Sequence, residues 1–101
     1  NLLTARGAIS TADAAGQTGQ KVSVAGVRQV SRRVRTVKGE TMLFLSIDDP
    51  SGMLDVVVFP ALYRRAKQLL HSQTPLLFTG VIALDEQLAP YLKAEQVERL
   101  A

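Results

Sequence analysis

Two hydrophobic periods divide the chain. Residues 21–30, KVSVAGVRQV, space Val22 and Val24 two apart and resume with Val27 or Arg28 after Gly26. A period of two in branched residues describes a pleated strand with one buried face. A glycine inside such a run marks a bulge or a sharp bend. Residues 41–48, TMLFLSID, divide in the same way, with Leu43, Leu45 and Ile47 on the core face and Met42, Phe44, Ser46 and Asp48 on the other. DDPSG then reads as a turn, since Pro50 fixes φ and Gly52 tolerates a positive one. Residues 53–59 return with Leu54, Val56 and Val58 inward and Met53, Asp55, Val57 and Phe59 outward, which makes a hairpin. The period lengthens in PALYRRAKQLLH, where Leu62, Ala66, Leu69 and Leu70 recur at helical spacing and Arg64, Arg65, Lys67 and Gln68 face away. Pro60 suits the first helical position, where its missing N–H is not needed. PLLFTGVIAL, again with one glycine, Gly80, is a fourth strand, DEQLAP a short loop, and YLKAEQVERL a fifth strand running toward a helical tail. Residues 1–19 have weak periodicity and read as a lead-in segment, its first 15 or so residues poorly ordered outside a longer protein. Thr11 is expected to cap a short helical turn over residues 12–15 that Gly16 ends.

The order β-β-β-α-β-β predicts an all-β domain over residues 20–101. Five short strands with one helix between strands 3 and 4 match the OB-fold, a five-stranded, partly open Greek-key barrel. The helix would plug the barrel's bottom. The binding face of that architecture is the outer surface of strands 2 and 3, flanked by the loops joining strands 1–2 and 4–5. Charge makes this face interesting. The net charge is only +3, yet no acid occurs from Ala14 to Gly39, a window holding Lys21, Arg28, Arg32, Arg33, Arg35 and Lys38. The run is read as a basic 1–2 loop beside Phe44, which points to an anionic partner.

The remaining composition mostly excludes. A chain of 101 residues suits one small domain. With no cysteine there is no disulfide, thiolate metal site or cysteine nucleophile, and a reducing, cytoplasmic setting is expected. No apolar run approaches the ~20 residues of a membrane span. Asp48 and Asp49 are adjacent, so on a strand they point to opposite faces and make a poor metal pair. His71, the sole histidine, has no second His or Cys to share a metal. No Gly-rich phosphate loop exists, so a binding module that uses no cofactor is expected rather than an enzyme. The chain starts on Asn rather than Met, and a piece of something longer is expected.

VSVAGVRQVSRRVRTVKGETMLFLSIDDPSGMLDVVVFPALYRRAKQLL resembles the OB domain of bacterial DNA polymerase III alpha subunits, replicative and error-prone. The shared pattern comprises Ala25-Gly26-Val27, Lys38-Gly39, Phe44-Leu45 with Asp48-Asp49, Gly52, and Val56-Val57-Val58-Phe59-Pro60, followed by Leu62-Tyr63-Arg64-Arg65. The likeness extends over residues 6–100. The anticodon-binding domains of aspartyl and asparaginyl tRNA synthetases share the first three strands, but they usually carry an Arg where this chain has Asp48, and they lack the helix entry after Phe59. The resemblance implies a module that guides single-stranded DNA toward a polymerase active site, inside a parent chain with DNA-directed DNA polymerase activity. Other domains or subunits of the replicase are the implied protein partners. Phe44 matches the position where the anticodon-binding relatives stack a base. Arg28, Arg32, Arg33, Arg35 and Lys38 are the phosphate candidates, about half of them facing the groove by strand alternation. Asp55, Tyr91 and Lys93 complete the candidate face. With one or two stacking platforms the isolated domain should bind weakly, at roughly micromolar or weaker. Two other readings stay open: a protein-docking module of the replication machinery, using Met42 and Val57, and a tRNA anticodon-binding domain.

Overall fold

A computed structural model describes residues 7–100. The elements run β1 (Ala8–Ile9), α1 (Thr11–Ala15), β2 (Lys21–Arg35), β3 (Thr41–Asp49), β4 (Gly52–Val58), α2 (Pro60–Leu70), β5 (Leu76–Leu84) and β6 (Pro90–Arg99). Antiparallel ladders join β2 to β3, β3 to β4, β6 to β5 and β5 back to β2, while β4 pairs with β6 in parallel. The five long strands thus close a ring with α2 between the third and fourth, which is the OB-fold barrel. Its narrowest seam is β4–β6, joined through Asp55↔Tyr91, Val56↔Leu92 and Val57↔Lys93.

β2 closes the ring because it belongs to two ladders. Residues 21–26 pair with β5 and residues 27–35 with β3. The strand must bend between them, and Gly26 permits the crowding at that corner: a Cβ there would lie 2.8 Å from the Asp48 carbonyl oxygen. Gly80 has the same role on β5, where a Cβ would collide with the Lys93 backbone at the point where the β5–β6 register slips. Inside the barrel Phe78, Leu43, Ile47, Leu76, Ile82, Leu92, Val24, Val56 and Val58 are fully buried. Helix α2 closes the bottom with Leu62 and Leu70, Ala66 and Leu69 packing partly against the core. Tyr63 is buried as well, which the helical spacing alone did not reveal. No helical tail follows β6: it stays extended to Arg99 because Leu76 and Leu77 pair with Arg99 and Glu98.

The lead-in expectation falls partly outside the described residues, which exclude 1–6. From Gly7 onward the segment packs on the barrel, with β1 in parallel register against Ser23 and Val24 of β2. Ser10 rather than Thr11 caps α1, its Oγ accepting from the Asp13 N–H at 3.0 Å. Thr11 is instead turned inward, where its N–H and hydroxyl donate to the Asp49 carboxylate at 2.8 and 2.9 Å. Ser51 adds its own N–H and hydroxyl to the same carboxylate, at 2.9 and 2.7 Å. Burial pushes the Asp49 pKa up, but the hydrogen bonds from Ser51 and Thr11 outweigh it and hold it at about 2. Asp49 therefore does more than form the β3–β4 turn, since it ties that turn to α1.

Candidate nucleic-acid interface

The strand registers lay two rows of side chains across the outer face of the barrel. Cross-strand partners share a face, so Arg32↔Phe44, Phe44↔Val57 and Val57↔Lys93 define one row over β2, β3, β4 and β6. Val30↔Ser46, Ser46↔Asp55 and Asp55↔Tyr91 define the next. The first row has a cation at each end, three strand spacings or about 14 Å apart. Arg32 lies over the Phe44 ring at 5.4 Å and Lys93 over the Phe59 ring at 4.9 Å. The rows floor an open groove of about 770 Å³, lined also by Met42, Phe59, Leu84, Asp85 and Glu86. Phe44 is half-buried and Phe59 more exposed, so both keep ring surface toward the groove.

Two turns flank it. The β2–β3 turn closes with the Thr36 N–H donating to the Glu40 carbonyl at 2.7 Å, and Gly39 takes a φ of 80° there. Glu40 is engaged by Arg64 of α2 at 2.7 Å. In the β5–β6 turn, Asp85 Oδ1 accepts from the backbone N–H of Gln87 and of Ala89, at 2.8 and 2.9 Å. The two rims differ in sign. Arg32 stands at the β2 side, whereas Asp85 and Glu86 stand at the β5–β6 side.

The basic run is not a loop. Residues 30–35 are strand, paired residue by residue with β3, and only Lys38 sits in the turn. A two-stranded extension satisfies backbone groups that a loop would leave to water, and the alternating face then sorts the charges. Of the four arginines only Arg32 shares the face of Phe44. Arg33 pairs with Leu43 and Arg35 with Thr41, on the other face, and Arg28 pairs with buried Ile47. Arg28 Nη1 donates to Ser31 Oγ at 2.8 Å, and its Nε is buried without a partner among the described residues. The structure thus brings Arg32, Phe44, Asp55, Tyr91 and Lys93 together on the groove face, and it places Arg28, Arg33 and Arg35 away from it.

His71 ends α2 on that other side. Its Nε2 lies 3.0 Å from the Tyr63 hydroxyl, with the rings edge to face. Burial, and then the charges of Arg28, Arg33 and Lys67, hold its pKa below the ordinary imidazole value. The groove residues that pattern reading missed are Val30, Leu84, Asp85 and Glu86. The last two were available from sequence, since they stand in the loop between strands 4 and 5.

Residues 18–100 match the family described as an OB-fold nucleic acid binding domain. The DNA polymerase III subunit alpha of Bacillus subtilis is 34% identical over 78 residues, 77% of this chain and 7% of that protein. An error-prone DNA polymerase of Cutibacterium acnes is 29% identical over 84 residues, 83% of this chain and 7% of that one. The chain therefore spans about 7% of the length of these curated relatives. Among solved structures, asparaginyl-tRNA synthetase of Entamoeba histolytica, in complex with asparaginyl-adenylate, is similar with a TM-score of 0.72 at 22% identity, over 92% of this chain and 23% of that one. OBody AM1L10, bound to hen egg-white lysozyme, has a TM-score of 0.70 at 14% identity, over 92% of this chain and 90% of that one. At these identities the two structures speak to the fold alone.

Proposed function

The chain belongs to the OB-fold nucleic acid binding domain family, and we propose that this domain holds a single strand of DNA across the outer face of β2, β3, β4 and β6. The row Arg32–Phe44–Val57–Lys93 carries the reading. Cationic side chains bind phosphates and release counterions, and an aromatic ring between them stacks an unpaired base. In the free domain Arg32 covers the Phe44 ring, a contact worth about 0.5–1 kcal/mol at an exposed site. Stacking is worth about 1–3 kcal/mol per base, and Arg32 gains a phosphate when it swings off the ring, so the exchange favours the ligand. DNA is the favoured nucleic acid because the named relatives are DNA polymerases. In such a parent the module would guide template strand toward the active site. One main platform gives weak binding by itself, and tethering to neighbouring domains raises it through effective concentration.

A second reading is favoured by the groove's apolar rim. Val30 and Leu84 are exposed on its lining and Leu88 at the tip of the β5–β6 turn, which suits a segment of another replicase domain or subunit. Fluorescence anisotropy of a labelled mixed-sequence single strand separates the two. Saturable binding at low salt that weakens in Phe44→Ala and in Arg32→Ala supports the strand reading. Absence of binding, or binding indifferent to both variants, overturns it in favour of protein docking. A structured anticodon stem-loop in parallel tests the remaining relative of this fold.

A further inference from the structure

We propose that Asp55 makes the groove selective for bases that present an exocyclic amine, such as cytosine, over those that do not, such as thymine. The inference rests on the single-strand reading above and deepens it. Arg32, Phe44 and β4 stand in that order across the sheet, because Arg32 pairs with Phe44 and Phe44 with Val57. A nucleotide whose phosphate meets Arg32 and whose base lies on Phe44 therefore points the far edge of that base at β4. Asp55 is the groove-facing residue two positions before Val57, diagonal to Phe44, and such diagonal neighbours lie about 7–8 Å apart. It is exposed, and it makes no hydrogen bond or ion pair with the other described residues, so its oxygens are free to accept.

An ionised carboxylate only accepts hydrogen bonds. Cytosine offers its N4 amine to such an acceptor, while thymine presents a carbonyl oxygen at the same place. The same negative charge repels phosphate, which favours a base edge rather than the backbone beside Asp55 itself, while the backbone crosses β4 nearer Val57 on its way to Lys93. Asp85 and Glu86 extend this acidic side, but Asp85 spends one oxygen on its own turn and both residues sit on a loop. Asp55 stands on a strand, which fixes its position relative to Phe44 more tightly.

The test compares oligo(dC) with oligo(dT) of equal length at low salt and mildly alkaline pH, for the parent and for Asp55→Asn and Asp85→Asn. Both homopolymers are pyrimidines on the same backbone, so the comparison isolates the base edge. The parent should bind oligo(dC) more tightly by about 5- to 10-fold, the lower part of the range for a base contact. Asp55→Asn, whose amide donates as well as accepts, should bring the ratio close to one, and Asp85→Asn should leave it in place. Equal affinity in the parent overturns the inference, as does an Asp55→Asn variant that tightens both homopolymers by one factor, which would make Asp55 a source of repulsion only. If neither homopolymer binds at any salt, the strand reading itself fails and this inference with it.

Discussion

The salt dependence of binding distinguishes the groove from the rest of the basic run, and its size follows from counting cations on one face. For single strands, log K falls against log salt with a slope of about −0.7 per neutralised phosphate. The groove row contributes two cations, Arg32 and Lys93. The slope should therefore be about −1.4, a loss of only about 7-fold between roughly 50 and 200 mM salt. Had Arg28, Arg33, Arg35 and Lys38 all joined them, six cations would give a slope of about −4 and a loss of about 300-fold over the same range. The assay is anisotropy of a labelled single strand at four or five salt concentrations. Arg32→Ala and Lys93→Ala should each reduce the slope by about 0.7, and Arg33→Ala should leave it unchanged. A slope near −4 that Arg33→Ala reduces would refute the reasoning, since the phosphates would then run over the far face of the β2–β3 extension. A slope near zero would indicate an apolar protein contact instead.

Asp49→Asn removes the charge that joins α1 to the β3–β4 turn and should cost about 1.5 kcal/mol in urea unfolding, the low end for hydrogen bonds to a charged group. Because the folded pKa of about 2 lies below the ordinary aspartate value of 3.8, that stability is complete above pH 4 or so and is lost as pH falls toward 2; a parent whose acid unfolding midpoint matches that of Asp49→Asn would contradict this. Gly80→Ala should destabilise by about 3 kcal/mol or abolish folding, since its methyl group meets the Lys93 backbone, and a thermal midpoint within a degree or two of the parent would show that the strand crossing is looser than described. Tyr63→Phe should cost about 1 kcal/mol through the lost hydroxyl contact with His71, measurable by thermal unfolding. An NMR titration of the parent should place the His71 midpoint below that of free imidazole, and a midpoint at or above that value would contradict the burial and the surrounding positive charge.

The barrel was legible because its strands alternate cleanly and its helix does not. Leu43, Leu45 and Ile47, and Leu54, Val56 and Val58, are the inward faces of β3 and β4, and all six are buried. Gly26 and Gly80 stood out in runs of apolar residues; Gly26 was read as a bulge or bend, and the structure adds that both sit where another strand's backbone approaches closely. Tyr63 was less legible, because a tyrosine between Leu62 and Arg64 reads equally as rim or core until His71 is placed beside its hydroxyl. Lys93 was expected on the candidate face, but its place in one row with Arg32 was not legible. That alignment depends on a parallel β4–β6 seam between residues far apart in sequence, and no local pattern encodes that seam.

Which arginine faces the groove turns on a single residue. From Val22 through Val24 and Gly26 to Arg28, β2 alternates without interruption, and Arg28 pairs with inward-facing Ile47. Continued alternation would send Val30, Arg32 and Val34 inward and Arg33 and Arg35 to the groove. The register slips between Arg28 and Val30, so the ladder resumes with Val30 opposite Ser46 and Arg32 opposite Phe44. One extra residue in a strand exchanges its two faces. Here the slip takes two arginines off the groove face and puts one on it, directly against the Phe44 ring. The same corner lets β2 leave β5 for β3 and so closes the barrel. The irregularity that completes the fold therefore also selects the cation beside Phe44, and a run of basic residues read without it overstates the charge that a bound strand would meet.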